Sequence, residues 1–232
     1  MRRVPSPIPK PAAFEKICEE QGYRWLQKNL QQDGTLPAKT RPKDYWSVFL
    51  GNLADGFSNL CGFGAMYVGK GTVDHWVSCD EDPTLAYTWS NYRFLDNWVN
   101  SSKSKCRSSN LLDPFEVEDN WFEIVLPSLQ LRITDNVPAH LRAKAEYTLE
   151  RLHLVHDERY IRQRQHWYKE YTDAEPSAKP VILALLRRKA PLIASAIEKS
   201  VVPQSCSDRA VENAYGEGAI QILEGLEAVR KR

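Results

Sequence analysis

Residues 71–79 read GTVDHWVSC, an Asp-His pair placed after a β-branched residue and before a bulky aromatic one. On its own, an Asp beside a His is most often a surface carboxylate next to a hydrogen-bonded structural imidazole. The surrounding sequence is what gives this pair a second reading. On its N-terminal side, Tyr67, Val68 and Val73 flank Gly69-Lys70-Gly71, a pattern that predicts a short β-hairpin whose second arm ends on Asp74 and His75. On its C-terminal side, CDEDPTLA reads as an acidic loop, and YTWSNYRFLDNWVNSSKSK runs from a short extended piece into a helix. That stretch supplies Asn91, Asn100, Lys103 and Lys105.

These are the residue types that a one-metal nuclease requires. Neutral water is a poor nucleophile, so phosphodiester hydrolysis needs a base, and an unperturbed imidazole with a pKa of about 6.5 serves near neutral pH. His75 can fill that role. The transition state also concentrates negative charge, which a hard cation such as Mg²⁺ or Mn²⁺ offsets, and such ions prefer oxygen ligands. The Asp74 carboxylate and the Asn100 amide oxygen are of that kind.

Taken together, the Asp-His at a strand end, the Asn in W-x-N and the final Asn of NSSK resemble the HNH endonucleases, the ββα-metal fold. The resemblance implies His75 as general base, Asp74 and Asn100 as metal ligands, and Asn91 as the brace of the loop that carries the base. With Asn100 at the final position this would be an H-N-N variant, and the resemblance also implies Lys103 as the residue facing the phosphate. A looser likeness over about residues 45 to 165 includes CGFG, the L-x-D-P at 111–114 and AEYTLERLHL. It is similar to HNH proteins that accompany ATPases in bacterial anti-phage systems of the Septu and retron type. Many of those begin with C-x-Y-C as half of a zinc site; here Gly64 stands where the second Cys would be, so a structural zinc is not expected.

Working outward, helical spacing marks residues 12–31, then YWSVFLGNLADGFSNL as far as Gly62 and Gly64. Alternation in Phe122, Ile124, Leu126 and in Leu129, Leu131, Ile133 predicts a small extra sheet. Two helices follow over 138–172, and a C-terminal helical pair lies beyond, the first of which Pro191 should kink or split. The basic run Arg159, Arg162, Arg164, Lys169 could track a phosphate backbone or be a solvated helix face. Trp46, Trp89 and Trp121 fall on apolar faces and read as core. Asn97 reads as a capping or solvated residue, and His140, His153, His156 and His166 as surface or structural residues.

The expected fold class is α+β: a Pro-rich arm and helical cap over 1–44, a ββα-metal nuclease domain with its extra sheet over 45–172, and a helical extension over 173–232. The 232 residues are 42% hydrophobic and carry a formal net charge of +1, so any polyanion site must be a local basic patch. DNA is the expected substrate, with Lys103, Lys105, Arg159, Arg162 and Arg164 as the contacts. The five cysteines form no C-x-x-C pair, which argues against a disulfide scaffold or compact zinc knuckle and fits a reducing cytoplasm. No run approaches the roughly 20 apolar residues of a membrane span. One such site cuts one strand, so a double-strand break would call for a homodimer or sequential nicks. An ATPase subunit is the partner the resemblance suggests. The alternative, from a different class, is a catalytically silent subunit that keeps the fold and acts through its helical tail on a partner.

Overall fold

The computed structural model of the protein describes residues 1–104 and 106–201. It is a mixed α+β fold of seven α-helices and two separate two-stranded antiparallel sheets among those residues. A π-helical turn over Glu15–Glu19 leads into α1 (Glu20–Asn29), and a 3₁₀ turn over Ser47–Phe49 leads into α2 (Leu50–Gly56). Then come β1 (Thr72–His75), β2 (Tyr92–Leu95) and α3 (Asn97–Lys103). The second sheet, β3 (Phe122–Val125) with β4 (Gln130–Ile133), precedes α4 (Ala139–Arg151), α5 (Glu158–Thr172), α6 (Lys179–Lys189) and α7 (Pro191–Val201). No helix among the described residues is long and apolar enough to cross a membrane.

The expected hairpin partner is wrong. β1 pairs not with Tyr67 and Val68 but with β2, in the register Thr72↔Leu95, Val73↔Phe94, Asp74↔Arg93, His75↔Tyr92. Tyr67 instead bridges to Leu60. The physical reason is burial: all four residues of β2 are buried, so it must lie inside the core, and β1 is the strand that covers it. Gly71 then serves close approach more than a turn. A Cβ there would lie 2.4 Å from the Phe94 ring and 2.9 Å from the Leu95 carbonyl oxygen.

The helix expected to run as far as Gly62 is also shorter, because α2 stops at Gly56 and Ser58 and Asn59 take positive φ. Asparagine is among the non-glycine residues that visit this left-handed region most readily, and two such residues in succession cannot continue a right-handed helix. The second sheet follows its alternation, with Phe122 and Ile124 inward on β3 and Leu131 on β4. Pro191 divides α6 from α7 as expected, since proline lacks the N–H that would continue the ladder. The last expected helix, over residues 208–232, lies outside the described residues.

The two ends of the described chain belong to the same core. Phe14 stands edge-on to Phe49, Trp89 and Tyr92 at 5.0, 5.0 and 5.7 Å, and the Trp89 indole donates to the Ile8 carbonyl at 3.0 Å. Gly22 lets α1 press on the face of Tyr87, where a Cβ would come within 2.1 Å of the ring. At the other end, Ile193, Ala194 and Ile197 of α7 are buried, α7 packs on β3, and the Tyr67 amide donates to the Lys189 carbonyl at 2.7 Å.

The two glycines of the 69–71 turn therefore differ. Gly71→Ala should cost about 1–3 kcal/mol in urea denaturation, the usual range for overpacking a filled site. Gly69→Ala, whose Cβ would meet nothing closer than 3.9 Å, should change stability little; equal effects would contradict the observed register.

Candidate functional site

Side chains alternate across a strand, so neighbours on β1 face opposite sides of the sheet. Asp74 shares one face with its cross-strand partner Arg93, and His75 shares the other with Tyr92. The two faces have different chemistry.

On the first face Asp74 and Lys103 are both buried. The Lys103 ammonium donates to both Asp74 carboxylate oxygens at 2.9 Å, to the His75 carbonyl at 2.6 Å and to the Trp76 carbonyl at 3.0 Å. Lys103 is the last residue of α3, a short helix that starts directly after β2 and is capped by Asp96, whose carboxylate accepts the Trp98 amide at 2.8 Å. Its position at the helix C-terminus is also where the backbone dipole favours a cation. Beside this pair lies a second one: Arg93 meets Asp113 through two parallel bonds of 2.7 and 2.5 Å, with its guanidinium 3.9 Å from the Phe115 ring centre. Burial pushes the Asp74 carboxyl up to about 6, with Lys103 and then Arg93 opposing the shift.

On the second face, His75 Nε2 lies 2.8 Å from the Ala86 carbonyl oxygen, which also accepts from the Tyr92 hydroxyl at 2.8 Å. A carbonyl only accepts, so Nε2 carries the proton and Nδ1 keeps its lone pair. Trp46 and Tyr92 stand edge-on to the imidazole at 4.6 and 5.1 Å. Burial lowers the His75 pKa to about 4; the bond to Ala86 works against this and the Lys103 charge adds to it. The ring is therefore neutral at pH 7.

Asn91 ties the segments around the imidazole together. Its Oδ1 accepts the Val77 amide at 2.8 Å, and its Nδ2 donates to the carbonyls of Val77 at 3.0 Å and Leu85 at 3.1 Å. The Trp76 amide donates to the Asn91 carbonyl at 2.7 Å. One buried amide thus holds both the chain leaving His75 and the turn that presents Ala86.

Asn100 sits one helical turn before Lys103, half-buried and on the same side of α3. The DNA-contact expectations fare unevenly. Lys103 is turned inward onto Asp74 and faces no outside phosphate. Arg164 is buried too, its guanidinium donating to the carbonyls of Leu129 at 3.1 Å and Leu154 at 2.6 Å. The reason is helical geometry: Arg159 and Arg162 share an exposed flank of α5, whereas five residues from Arg159 the helix has turned toward the core. Arg159 lies over the Trp98 ring and pairs with Asp157, and Arg162 pairs with Glu158. Lys105 lies outside the described residues.

At the CGFG turn, a Cβ on Gly64 would sit 2.9 Å from the Tyr160 ring, so that ring fills the space beside the turn. The Cys61 sulfur accepts the amides of Gly64 and Asp96, both at 3.4 Å, and burial pushes its thiol up. Among the described residues no three His, Cys, Asp or Glu side chains converge as a metal cluster. What does converge at Asp74 is a set of oxygens around a cation, the donor type that hard divalent ions take. Sequence reasoning missed Arg93, Asp113, Trp46 and the Ala86 carbonyl. The one local signal was the arginine inside the otherwise apolar YRFL. In comparisons with known proteins, the sequence matches no protein-family model and no curated protein.

His75 makes an acid-side prediction. With its folded pKa below the unfolded value, the unfolded chain takes up the proton first as pH falls. The stability it contributes is complete above about 6.5 and is lost toward about 4. Asp74, shifted upward, acts in the opposite sense, but equally in wild type and variant. Wild type should therefore lose about 2–3 kcal/mol more than His75→Gln between those pH values in chemical denaturation; parallel curves would contradict it. Asn91→Ala, which strands the Val77 and Leu85 backbone groups, should cost about 2–3 kcal/mol at pH 7 in the same measurement.

Proposed function

We propose that the protein is a metal-dependent endonuclease of the HNH, or ββα-metal, type that hydrolyses phosphodiester bonds of DNA. One observation carries the reading: in the compact β1, β2, α3 unit, a neutral imidazole of assigned tautomer ends the first strand, and the adjacent carboxylate binds a cation reaching in from the helix. In this reading His75 Nδ1 takes the proton from the attacking water. The Ala86 carbonyl holds the ring in the tautomer that leaves Nδ1 free, and Asn91 keeps that carbonyl and the following turn in place. Asp74 and Asn100 would hold Mg²⁺ or Mn²⁺, which when bound would supply charge for the leaving oxygen. Arg159 and Arg162 offer exposed cationic groups to the DNA backbone, sharing their charge with Asp157 and Glu158.

A second reading has its own observation. Both Asp74 oxygens are taken by Lys103, which would also suit a silent member of the fold that acts only by binding. Plasmid nicking with Mg²⁺ or Mn²⁺, with and without EDTA, separates the two. We expect metal-dependent nicking that falls about 10²–10⁴-fold in His75→Ala, the usual contribution of a positioned base. A folded His75→Ala protein that nicks like wild type, or wild-type nicking that EDTA does not abolish, would overturn the mechanism, and absent nicking by wild type would favour the silent subunit.

A further inference from the structure

The geometry points to Lys103 as a built-in cation that competes with a divalent metal ion for the Asp74 carboxylate, so that the folded chain rests with its metal site closed. This rests on the reading of Asp74 as a metal ligand given above.

The first support is the donor set. One carboxylate and two main-chain carbonyls surround the Lys103 nitrogen at 2.6–3.0 Å, an all-oxygen shell of the sort that binds hard cations. An ammonium has only three hydrogens, so four oxygens at these distances occupy all of them. The second support is exclusion. Both side chains are almost fully buried, at 2% and 6% exposure, and Arg93 already places another positive charge on the same face. A divalent ion and the ammonium cannot share one buried carboxylate without strong repulsion, so entry of the ion requires Lys103 to leave.

The third support is a place for that movement to begin. Lys103 ends α3, and Ser104 after it stands at φ 41° and ψ −121°, a conformation that a residue with a side chain holds only under tertiary constraint. Release of Lys103 would let this last turn relax. The ammonium therefore satisfies Asp74 during folding and withholds it from the metal until it is displaced.

Mn²⁺ binding to the full chain, without DNA, tests this through titration and thermal shift. Lys103→Met should bind Mn²⁺ at least about tenfold more tightly than wild type, a modest value for removing a competing buried ion pair. Its melting temperature should be depressed without metal and climb with Mn²⁺ far more than that of wild type. The double variant Asp74→Asn, Lys103→Met should show neither response. In wild type, amine-directed labelling read by mass spectrometry should find Lys103 protected without metal and reactive at saturating Mn²⁺. The inference is overturned if Lys103→Met gains neither affinity nor stability from Mn²⁺, including a failure to fold in its presence. It is equally overturned if wild type binds Mn²⁺ with Lys103 still protected. Metal exchange at Lys103 without any DNA cleavage would sink the nuclease reading and leave this one standing.

Discussion

The ammonium of Lys103, enclosed by the Asp74 carboxylate and two carbonyls, fastens the end of α3 to the end of β1. Either charge alone would be costly in so dry a place, and removal of one strands the other. The pair therefore constrains everything between its members. β2 must turn directly into a helix short enough for its final residue to reach back, and Asp96 makes that turn by capping α3. The Arg93–Asp113 pair repeats the arrangement beside it and ties β2 to the segment leading into the second sheet. The polar face of this small sheet is thus internal, roofed by Trp76 and Phe115.

The opposite face is organised around a neutral group. Ala86 offers one carbonyl to both His75 and Tyr92, and aromatic edges surround the ring. The same strand thus carries a charged, ion-paired carboxylate and an uncharged imidazole on successive residues. Alternation across the sheet makes the contrast possible, because each side chain meets a different environment only one residue apart. For the proposed chemistry the division has a clear use: the cation is managed on one face and the proton on the other. Asn91 joins the two by bonding the backbone on either side of the loop.

Two strands of four residues are marginal by themselves and need other elements to cover them. The N-terminal segment does so on one side, where Phe14 enters the aromatic cluster with Trp89 and Tyr92. The second sheet is covered in turn by α7, and α6 is linked back to Tyr67 through the Lys189 carbonyl. Segments that read in sequence as an arm and an extension are structural parts of the described fold. Their packing also explains the glycines at 22 and 56, each of which leaves room for a side chain, Tyr87 or Ile8, at a distance no Cβ would permit.

By itself the sequence determined the elements whose signal is local. The 3.6-residue rhythm gave α4 and α5, Pro191 gave the break between α6 and α7, and strict alternation gave β3 and β4. The strand ending on His75 and the presence of a helix within YTWSNYRFLDNWVNSSKSK were also legible, as were the residue types of the candidate site. Tertiary structure alone decided the partners. β1 took β2 rather than the nearer Tyr67 and Val68 because burial of Phe94 and Leu95 outweighs the convenience of a short turn. Lys103 turned inward to Asp74 and Arg164 to the Leu129 and Leu154 carbonyls, although in sequence each looks like a surface cation. A long charged side chain carries no local sign of its direction. It is settled by which acceptors the fold gathers within reach, and those come from residues distant in sequence.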